Sequence, residues 1–532
     1  MHTFTCCIIV LLISTISAYN ILVYSPAFGS SHSKFMGRLA DTLTDAGHNV
    51  TLLIPVVDVS RRNTTGVKTT KDVIFVDQDE IGLQKISSPQ NTMLSFWFDN
   101  YKAEDYRDSY SFFHNNMIET CANLFRNKQV FNEMKTRNFD VILNEPLSIC
   151  GLGFAYKLGV RKMIQTSSCT MYEFMNSYIG EPDEYAYVPS VIGQTSDQMD
   201  LLERFENFKT THYIRQYVEE VFNAEESCYK TQQNEHKDIP SWKELLATFS
   251  MYFTNANANL DFPRPTIQKT VMIGGISVDM DYIKSQRLNE EWENVLKLRK
   301  KTMLISFGSM IQSKDMPITY RKTLLRVIQS FPDVTFIWKY ESYDTQWADH
   351  VPNVHFSKWV PQTALLNDKR VTAFLTHGGL GSVNELAYTA KPALMVPIFW
   401  DQARNGKMYE RLGAAITIRK TDLDNYELVR SSIQSILFDE SYTKKAQRIA
   451  DILENLPLKP KDLVVKYTEF VARFGPFPNM DPYVRHLNFI ERAGLDVLAI
   501  WHSGSIVFVL LSIVVCIYLF SHVRLSIRRK NT

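Results

Sequence analysis

Two apolar runs in the second half of the chain end in polar clusters. The stretch 374–402 reads FLTHGGLGSVNELAYTAKPALMVPIFWDQ, so one run closes on His377-Gly378-Gly379 and the next on Asp401-Gln402. Ser382 and Glu385 lie three residues apart in the helix-like stretch between them. A packed core needs apolar runs and a helix, but it does not need polar groups at the same end of both runs. Gly378, Gly379 and Gly381 suit a strand-to-helix turn whose backbone N–H groups approach a ligand closely, and the helix N-terminus adds partial positive charge. Such a turn suits a diphosphate, with His377 as an added side-chain donor. Glu385, one turn into the helix, can accept from ribose hydroxyls, and Asp401 and Gln402 suit the hydroxyls of a sugar. Plainer readings exist for each residue. Ser382-x-x-Glu385 is also a capping box, His377 can be a satisfied core histidine, and Asp401 a helix cap. Their convergence on one sheet edge favours a ligand site.

Positioning these residues takes strands and helices in alternation. Short β-rich apolar runs recur: YNILVYSP, HNVTLLIP, DVIFV, FDVILNEP and KMIQTS in the first half. The second half has TMLISFGS, VTFIWKY, VHFSKWVP, VTAFLTHGG, ALMVPIF and AAITIRK. Helix-length segments, such as 33–46, 318–331 and 381–390, separate most of them. Runs that are apolar on both faces and alternate with helices predict parallel sheets in doubly wound α/β domains. Two series predict two Rossmann-like domains facing across a cleft, divided within 274–293, where paired glycines precede a charged run. In such sheets ligands bind at the carboxyl ends of the strands.

The 532 residues suffice for two or three domains, and 45% hydrophobic with 22% charged residues is a globular composition. Lys plus Arg (58) balances Asp plus Glu (57), so no global field argues for nucleic acid. Residues 1–18, MHTFTCCIIVLLISTISA, read as a secretory signal peptide. Residues 497–520 are long enough and apolar enough to cross a hydrocarbon core of ~30 Å. Arg524, Arg528, Arg529 and Lys530 follow that run, so the positive-inside rule places the tail 521–532 in the cytosol. The expected order is therefore a signal peptide (1–18), a first domain (19–280), a second domain (281–480), a juxtamembrane segment (481–496), the membrane helix and the tail. Of seven cysteines, Cys121, Cys150, Cys169 and Cys228 fall in the body, which leaves room for one disulfide but shows no zinc spacing. Asn63 and Asn49 head glycosylation sequons.

Read together, these residues resemble the UDP-glycosyltransferase family in its animal, membrane-anchored form. The run from Trp359-Val360-Pro361-Gln362 through His377-Gly378-Gly379, Ser382, Glu385, Pro397 and Asp401-Gln402 is similar to that family's nucleotide-sugar signature. FPRP at 262–265, SFGS at 306–309, the signal peptide and the basic-tailed anchor extend the likeness over nearly the whole chain. The resemblance implies the two-domain GT-B fold, with acceptor in the first domain and UDP-sugar in the second. It implies that Trp359 stacks on uracil and Gln362 meets the ribose. His377, Gly379, Gly381 and Ser309 would serve the diphosphate, Glu385 the ribose, and Asp401 with Gln402 the donor sugar, with Ser382 among the donor-binding residues. For Trp359, core packing is the alternative reading. Several relatives carry Asn where this chain has Gly381, so one side-chain phosphate contact is lost.

The base is expected in the first domain, where YSPAFGSSHSKFMGRL places His32 at a strand mouth and near a helix start. An acceptor hydroxyl has a pKa far above 7, and an imidazole is suited to take its proton. FDVILNEP supplies Glu145 as the carboxylate that orients it, where many relatives have aspartate. Relatives that transfer glucuronic acid carry an arginine shortly before the FPRP landmark. This chain has Asn255 there, which favours a neutral hexose, glucose, over glucuronate. The aromatic segment 93–113 suits an acceptor pocket, a membrane contact or a packing helix.

These observations predict inverting, metal-independent transfer of glucose from UDP to a hydroxyl of a lipophilic small molecule. The partners are the UDP-sugar donor, that acceptor and the membrane, with no cofactor or nucleic acid and a homo-oligomer left open. The predicted address is the endoplasmic reticulum membrane, type I, with the active site lumenal. A catalytically silent lumenal protein binding lipophiles or nucleotide sugars is the alternative.

Overall fold

The computed structural model describes residues 18–86, 94–98, 106–231 and 238–530; the predicted signal peptide, Ala18 apart, lies outside them. Among the described residues, the first sheet holds β1 (Asn20–Tyr24), β2 (Asn49–Pro55), β3 (Asp72–Val76), β4 (Val141–Asn144), β5 (Met163–Ser167), β6 (Met251–Thr254) and β7 (Thr270–Met272). Its order is β3-β2-β1-β4-β5-β6-β7, and every pairing is parallel. The second sheet holds β8 (Lys301–Ser306), β9 (Val334–Lys339), β10 (Val354–Ser357), β11 (Val371–Thr376), β12 (Ala393–Met395) and β13 (Ala415–Thr417). Its order, β10-β9-β8-β11-β12-β13, repeats the pattern of the first and is again parallel.

The alternation of side chains explains why these runs form central strands. Ile21 and Val23 of β1 enter one core cluster while Leu22 and Tyr24 enter another, so both faces are covered. Met303 and Ile305 of β8 divide from Leu304 in the same way. Each sheet thus has one place where the strand order reverses, between β1 and β4 and between β8 and β11. A crevice opens there at the carboxyl ends of the strands. The expected helix 33–46 begins earlier, as Ser30–Asp45, and 381–390 is seen as Leu380–Tyr388. β6 and β7 answer to no quoted run, because four and three residues are too short to show a period.

Contacts across the cleft join the two sheets' loops. Phe96 stacks on Phe399 at 4.9 Å, and the Trp97 ring packs edge-on to Phe307 while its N–H donates to the Gln312 carbonyl at 3.2 Å. The 93–113 segment therefore has part of its aromatic content in packing; residues 93 and 99–105 lie outside those described. The helix Pro460–Phe474, within the range expected for the second domain, lays Val464, Val471 and Ala472 in the core cluster of the first sheet.

Asp481 onward forms a separate unit. It contains the helix Leu495–Lys530, of which Leu495–Arg524 is long and apolar enough to cross a membrane, with an 18-residue stretch of mean hydropathy 2.7. Cys121 and Cys150 form a disulfide with Cα atoms 5.6 Å apart. Asn49 and Asn63 are both exposed, the first at the start of β2 and the second in a turn.

Candidate functional site

His32 and Glu145 occupy the first crevice. Glu145 follows the last residue of β4, and His32 lies in the first turn of the helix after β1, whose N-cap is Gly29. The His32 Nδ1 atom lies 2.9 Å from Glu145 Oε2. His32 does not cap its helix, and Glu145 is buried rather than on the surface. Burial alone would raise the Glu145 pKa. The His32 charge, with hydrogen bonds from His32 and Ser168, outweighs it and holds the carboxyl below its ordinary value. The imidazole packs against Phe28, with ring centroids 4.5 Å apart.

The second crevice is built from neutral donors. β11 delivers His377, and the chain turns through Gly378 at φ 84°, in the left-handed region that glycine adopts freely. A Cβ on Gly379 would stand 2.7 Å from His377 Nε2, and one on Gly308 would stand 2.7 Å from Cε1. Both positions must be glycine for the imidazole to fit between the β8 and β11 turns. Burial, with the Lys339 charge nearby, lowers the His377 pKa to about 4. The ring is therefore neutral at pH 7, with one N–H to donate. Lys339, at the end of β9, is a residue the sequence reading missed. Its Nζ donates to the Gly308 carbonyl and to Glu341 Oε1, both at 2.8 Å.

Gly381 departs from its expected place in the turn: the helix starts at Leu380, and a Cβ on Gly381 would meet nothing within 4 Å. The Ser382–Glu385 capping box does not form either, because Gly379 is the N-cap and no side-chain cap bond exists. Instead the Gln362 amide donates to Glu385 Oε2 at 2.6 Å and to Ser382 Oγ at 3.2 Å. Three residues from two helices, Gln362–Asn367 and Leu380–Tyr388, thus meet in one polar group. Burial raises the Glu385 pKa, offset in part by that Gln362 bond and by the charge of Lys34 from the first domain. Trp359 is 71% exposed, which excludes core packing and leaves its ring face open to a base. Ser309 is exposed on the β8 turn beside Gly308.

Asp401 and Gln402 stand at the start of the helix Gln402–Arg411, and the Asp401 side chain makes no cap bond. Trp400 just before them takes φ 54°, a strained conformation for an aromatic residue. The Gln402 carbonyl oxygen accepts from the Ile398 and Phe399 N–H groups at 2.8 and 3.1 Å, which leaves its amide nitrogen for a ligand. Burial raises the Asp401 pKa against hydrogen bonding from Asn405 and the positive charge of His32. The two crevices therefore lie close enough for their charges to interact. Asn405 also donates to the Gly378 carbonyl at 3.1 Å, tying this helix to the glycine turn. Arg404, fully buried, pairs with Asp261 at 2.7 Å and donates to Thr170 Oγ1 at 2.8 Å. Sequence reasoning overlooked Ser168, Tyr172, Lys339 and Arg404; the first and third do follow the strand-end rule, at the ends of KMIQTS and VTFIWKY. Among the described residues no group of three or more His, Cys, Asp or Glu has a metal-holding arrangement.

The family model described as "UDP-glucoronosyl and UDP-glucosyl transferase" matches residues 20–530. The chain is 29% identical over 503 residues to "Putative UDP-glucuronosyltransferase ugt-47" of Caenorhabditis briggsae, covering 92% of this chain and 91% of that protein. It is 25% identical to human UDP-glucuronosyltransferase 1A6, over 88% of this chain and 86% of that one. Among solved structures it is similar in fold to a UDP-glucosyltransferase from Polygonum tinctorium, with TM-score 0.59, 14% identity, and 87% and 100% of the two chains covered. The kitacinnamycin glycosyltransferase gives TM-score 0.56 at 15% identity over 87% of this chain and all of the other.

Proposed function

This chain belongs to the UDP-glucuronosyl and UDP-glucosyl transferase family and is a UDP-glycosyltransferase of GT-B fold; from that premise we propose that it transfers glucose from UDP, with inversion and without a metal, to a hydroxyl of a lipophilic small molecule. The observation that carries the reading is the His32–Glu145 pair, its carboxylate buried, at the carboxyl ends of the first sheet's central strands and near Asp401 of the second. His32 Nε2 takes the acceptor's proton as its oxygen attacks the anomeric carbon, and Glu145 stabilises the imidazolium. The carbon–oxygen bond to UDP breaks in the same displacement, which inverts the centre. Charge developing on the leaving diphosphate meets the N–H groups of the glycine turn, the helix N-terminus and His377. Trp359, Gln362 and Glu385 hold the nucleoside, and Ser309, Ser382, Gly379 and Gly381 border the phosphates.

Asn255 supports a neutral sugar. Its Nδ2 donates to the Ser168 carbonyl at 2.9 Å, while its buried Oδ1 has no hydrogen-bond partner. An unpartnered acceptor suits a hydroxyl and repels a carboxylate. Arg404 favours the second reading, glucuronate, since its Nη2 has no partner. Asp261 neutralises that guanidinium, however, and Asp401 adds another carboxylate nearby, so the surroundings disfavour an anionic sugar. The cost of an uncompensated carboxylate is roughly a ten- to hundredfold preference for glucose. UDP-glucose and UDP-glucuronate offered at equal concentration to one phenolic acceptor test this, and a dominant glucuronide product overturns it. UDP release that does not rise with acceptor would favour the silent binder.

Residence in the endoplasmic reticulum, with the body lumenal and Asn63 and Asn49 as glycan sites, fits the Cys121–Cys150 disulfide, a bond of oxidising compartments. Protease treatment of intact microsomes should spare the body.

A further inference from the structure

We infer that Ser168 and Tyr172, on the loop after β5, are positioning residues that clamp the His32–Glu145 pair and are fitted to a glutamate in that place. The inference rests on the reading of His32 as the base. The two oxygens of Glu145 are divided between two tasks. Oε2 faces His32 Nδ1, while Oε1 accepts from the Ser168 backbone N–H and from the Tyr172 hydroxyl, both at 2.8 Å. Ser168 Oγ also lies 2.7 Å from His32 Nδ1. Glu145, Ser168 and Tyr172 are all buried, so these bonds face little competition from water.

The loop is itself held from several sides. Asn255 donates to the Ser168 carbonyl at 2.9 Å, Ser167 Oγ to the Cys169 carbonyl at 2.9 Å, and the Tyr172 N–H to the Tyr252 hydroxyl oxygen at 3.1 Å. Arg404 reaches Thr170 from the second domain. The donors on Glu145 are therefore preplaced.

This arrangement decides the histidine tautomer. A base working through Nε2 must carry its proton on Nδ1. Ser168 Oγ alone could donate to Nδ1 and drive the proton to Nε2, the unproductive form. A charged Glu145, locked by two donors with Oε2 turned to the ring, makes Nδ1–H the favoured form and leaves Ser168 Oγ to accept. Burial, with Cys169 and Glu145 nearby, keeps the Tyr172 hydroxyl protonated far beyond physiological pH, so it always donates. The side-chain length of glutamate lets one carboxylate reach both the ring and the loop. An aspartate, one methylene shorter, leaves at least one of these bonds unmade.

The test uses the full-length enzyme in detergent, assayed by UDP release with UDP-glucose and a phenolic acceptor, with UDP affinity by calorimetry as the check on folding. We expect Tyr172→Phe, which removes the hydroxyl donor to Glu145 Oε1, and Ser168→Ala, which keeps the backbone donor to Glu145 but removes the Oγ that accepts from His32 Nδ1, each to lower kcat roughly tenfold. KM for UDP-glucose should stay within about twofold in both. Ser168→Thr, which keeps a hydroxyl, should restore most of the rate. Glu145→Asp should lower kcat, and adding Tyr172→Phe to it should cost less than in the wild type, because the two act through one bond. If His32→Ala is inactive while Tyr172→Phe and Ser168→Ala turn over like the wild type, the clamp is wrong and the base stands. If His32→Ala keeps wild-type turnover, the base reading falls and the clamp with it. Full activity in Glu145→Asp would remove the fit to glutamate. Should Tyr172→Phe fail to fold, the Ser168 pair of variants still decides.

Discussion

The two crevices share a strand order, a parallel hydrogen-bond pattern and a position at the reversal of that order, yet their chemistry is opposite. In the first, a buried carboxylate and an imidazole form a charge-assisted pair, with further donors locking the carboxylate. In the second, His377 is held neutral among glycines, and the donors are backbone N–H groups and a ring nitrogen. A base must stabilise positive charge when it takes a proton, so it needs a fixed anion beside it. A diphosphate site must accept a fixed anion, so a carboxylate against the phosphates would defeat it. Topology supplies two equivalent crevices, and on the proposed reading the side chains at the strand ends decide which half of the reaction each performs.

That division is broken most severely at His32. His32→Ala should lower transfer by roughly 10²–10⁴-fold, the usual contribution of a general base. UDP affinity by calorimetry should be unchanged, because the nucleotide crevice is untouched. A matching loss of UDP affinity would mean that the crevices are not separate in function.

His377→Ala should show the reverse pattern, with UDP affinity and turnover both falling, by about ten- to hundredfold for a lost diphosphate donor. Gly379→Ala should mimic it without removing the imidazole, since the new Cβ displaces the ring. Wild-type UDP binding in Gly379→Ala would show that the ring position is not critical.

On the proposed reading the donor sugar lies where the crevices meet, and Asn255 tests that border. Asn255→Arg should narrow the preference for UDP-glucose over UDP-glucuronate by about tenfold, through a new partner for the carboxylate. It should also slow turnover with both donors, because the Ser168 carbonyl loses its amide donor. An unchanged donor ratio in competition assays would place the sugar elsewhere.

The smallest expected effect is on pH dependence. His377 titrates near 4 in the folded protein and near 6.5 when unfolded, so below about pH 6.5 the unfolded chain binds the extra proton. This group's contribution to stability is therefore full above pH 6.5 and falls away as the pH drops toward 4. His377→Gln lacks that loss, so the Tm advantage of the wild type over the variant should shrink between pH 7 and pH 5. An advantage that grows instead would mean that the imidazole is charged in the folded state.

Some of this was legible in the chain alone and some was not. The runs VTAFLTHGG and TMLISFGS announce central strands because buried parallel strands are apolar on both faces, and glycines at their ends mark a turn that only glycine can make. Ser382-x-x-Glu385 has the spacing of a capping box, the plainer reading set against the ligand site, and spacing cannot reveal that Gln362, from another element, holds the glutamate. β6 and β7 were missed because three or four residues carry no period. Arg404 reads as a surface residue of a polar helix, yet it is buried against Asp261 and Thr170.

The sequence by itself determined the alternation of strands and helices, the polar residues at the strand ends, the apolar C-terminal helix and the family. All of these depend on local composition and spacing, which the order of residues carries directly. Only the tertiary structure decided that Cys121 bonds to Cys150, that His32 meets Glu145 and Ser168 across 113 and 136 residues, and that His377 is neutral. A bond between distant residues requires strand order to bring their ends together. A pKa depends on burial and on neighbouring charge, and neither exists until the sheets have packed.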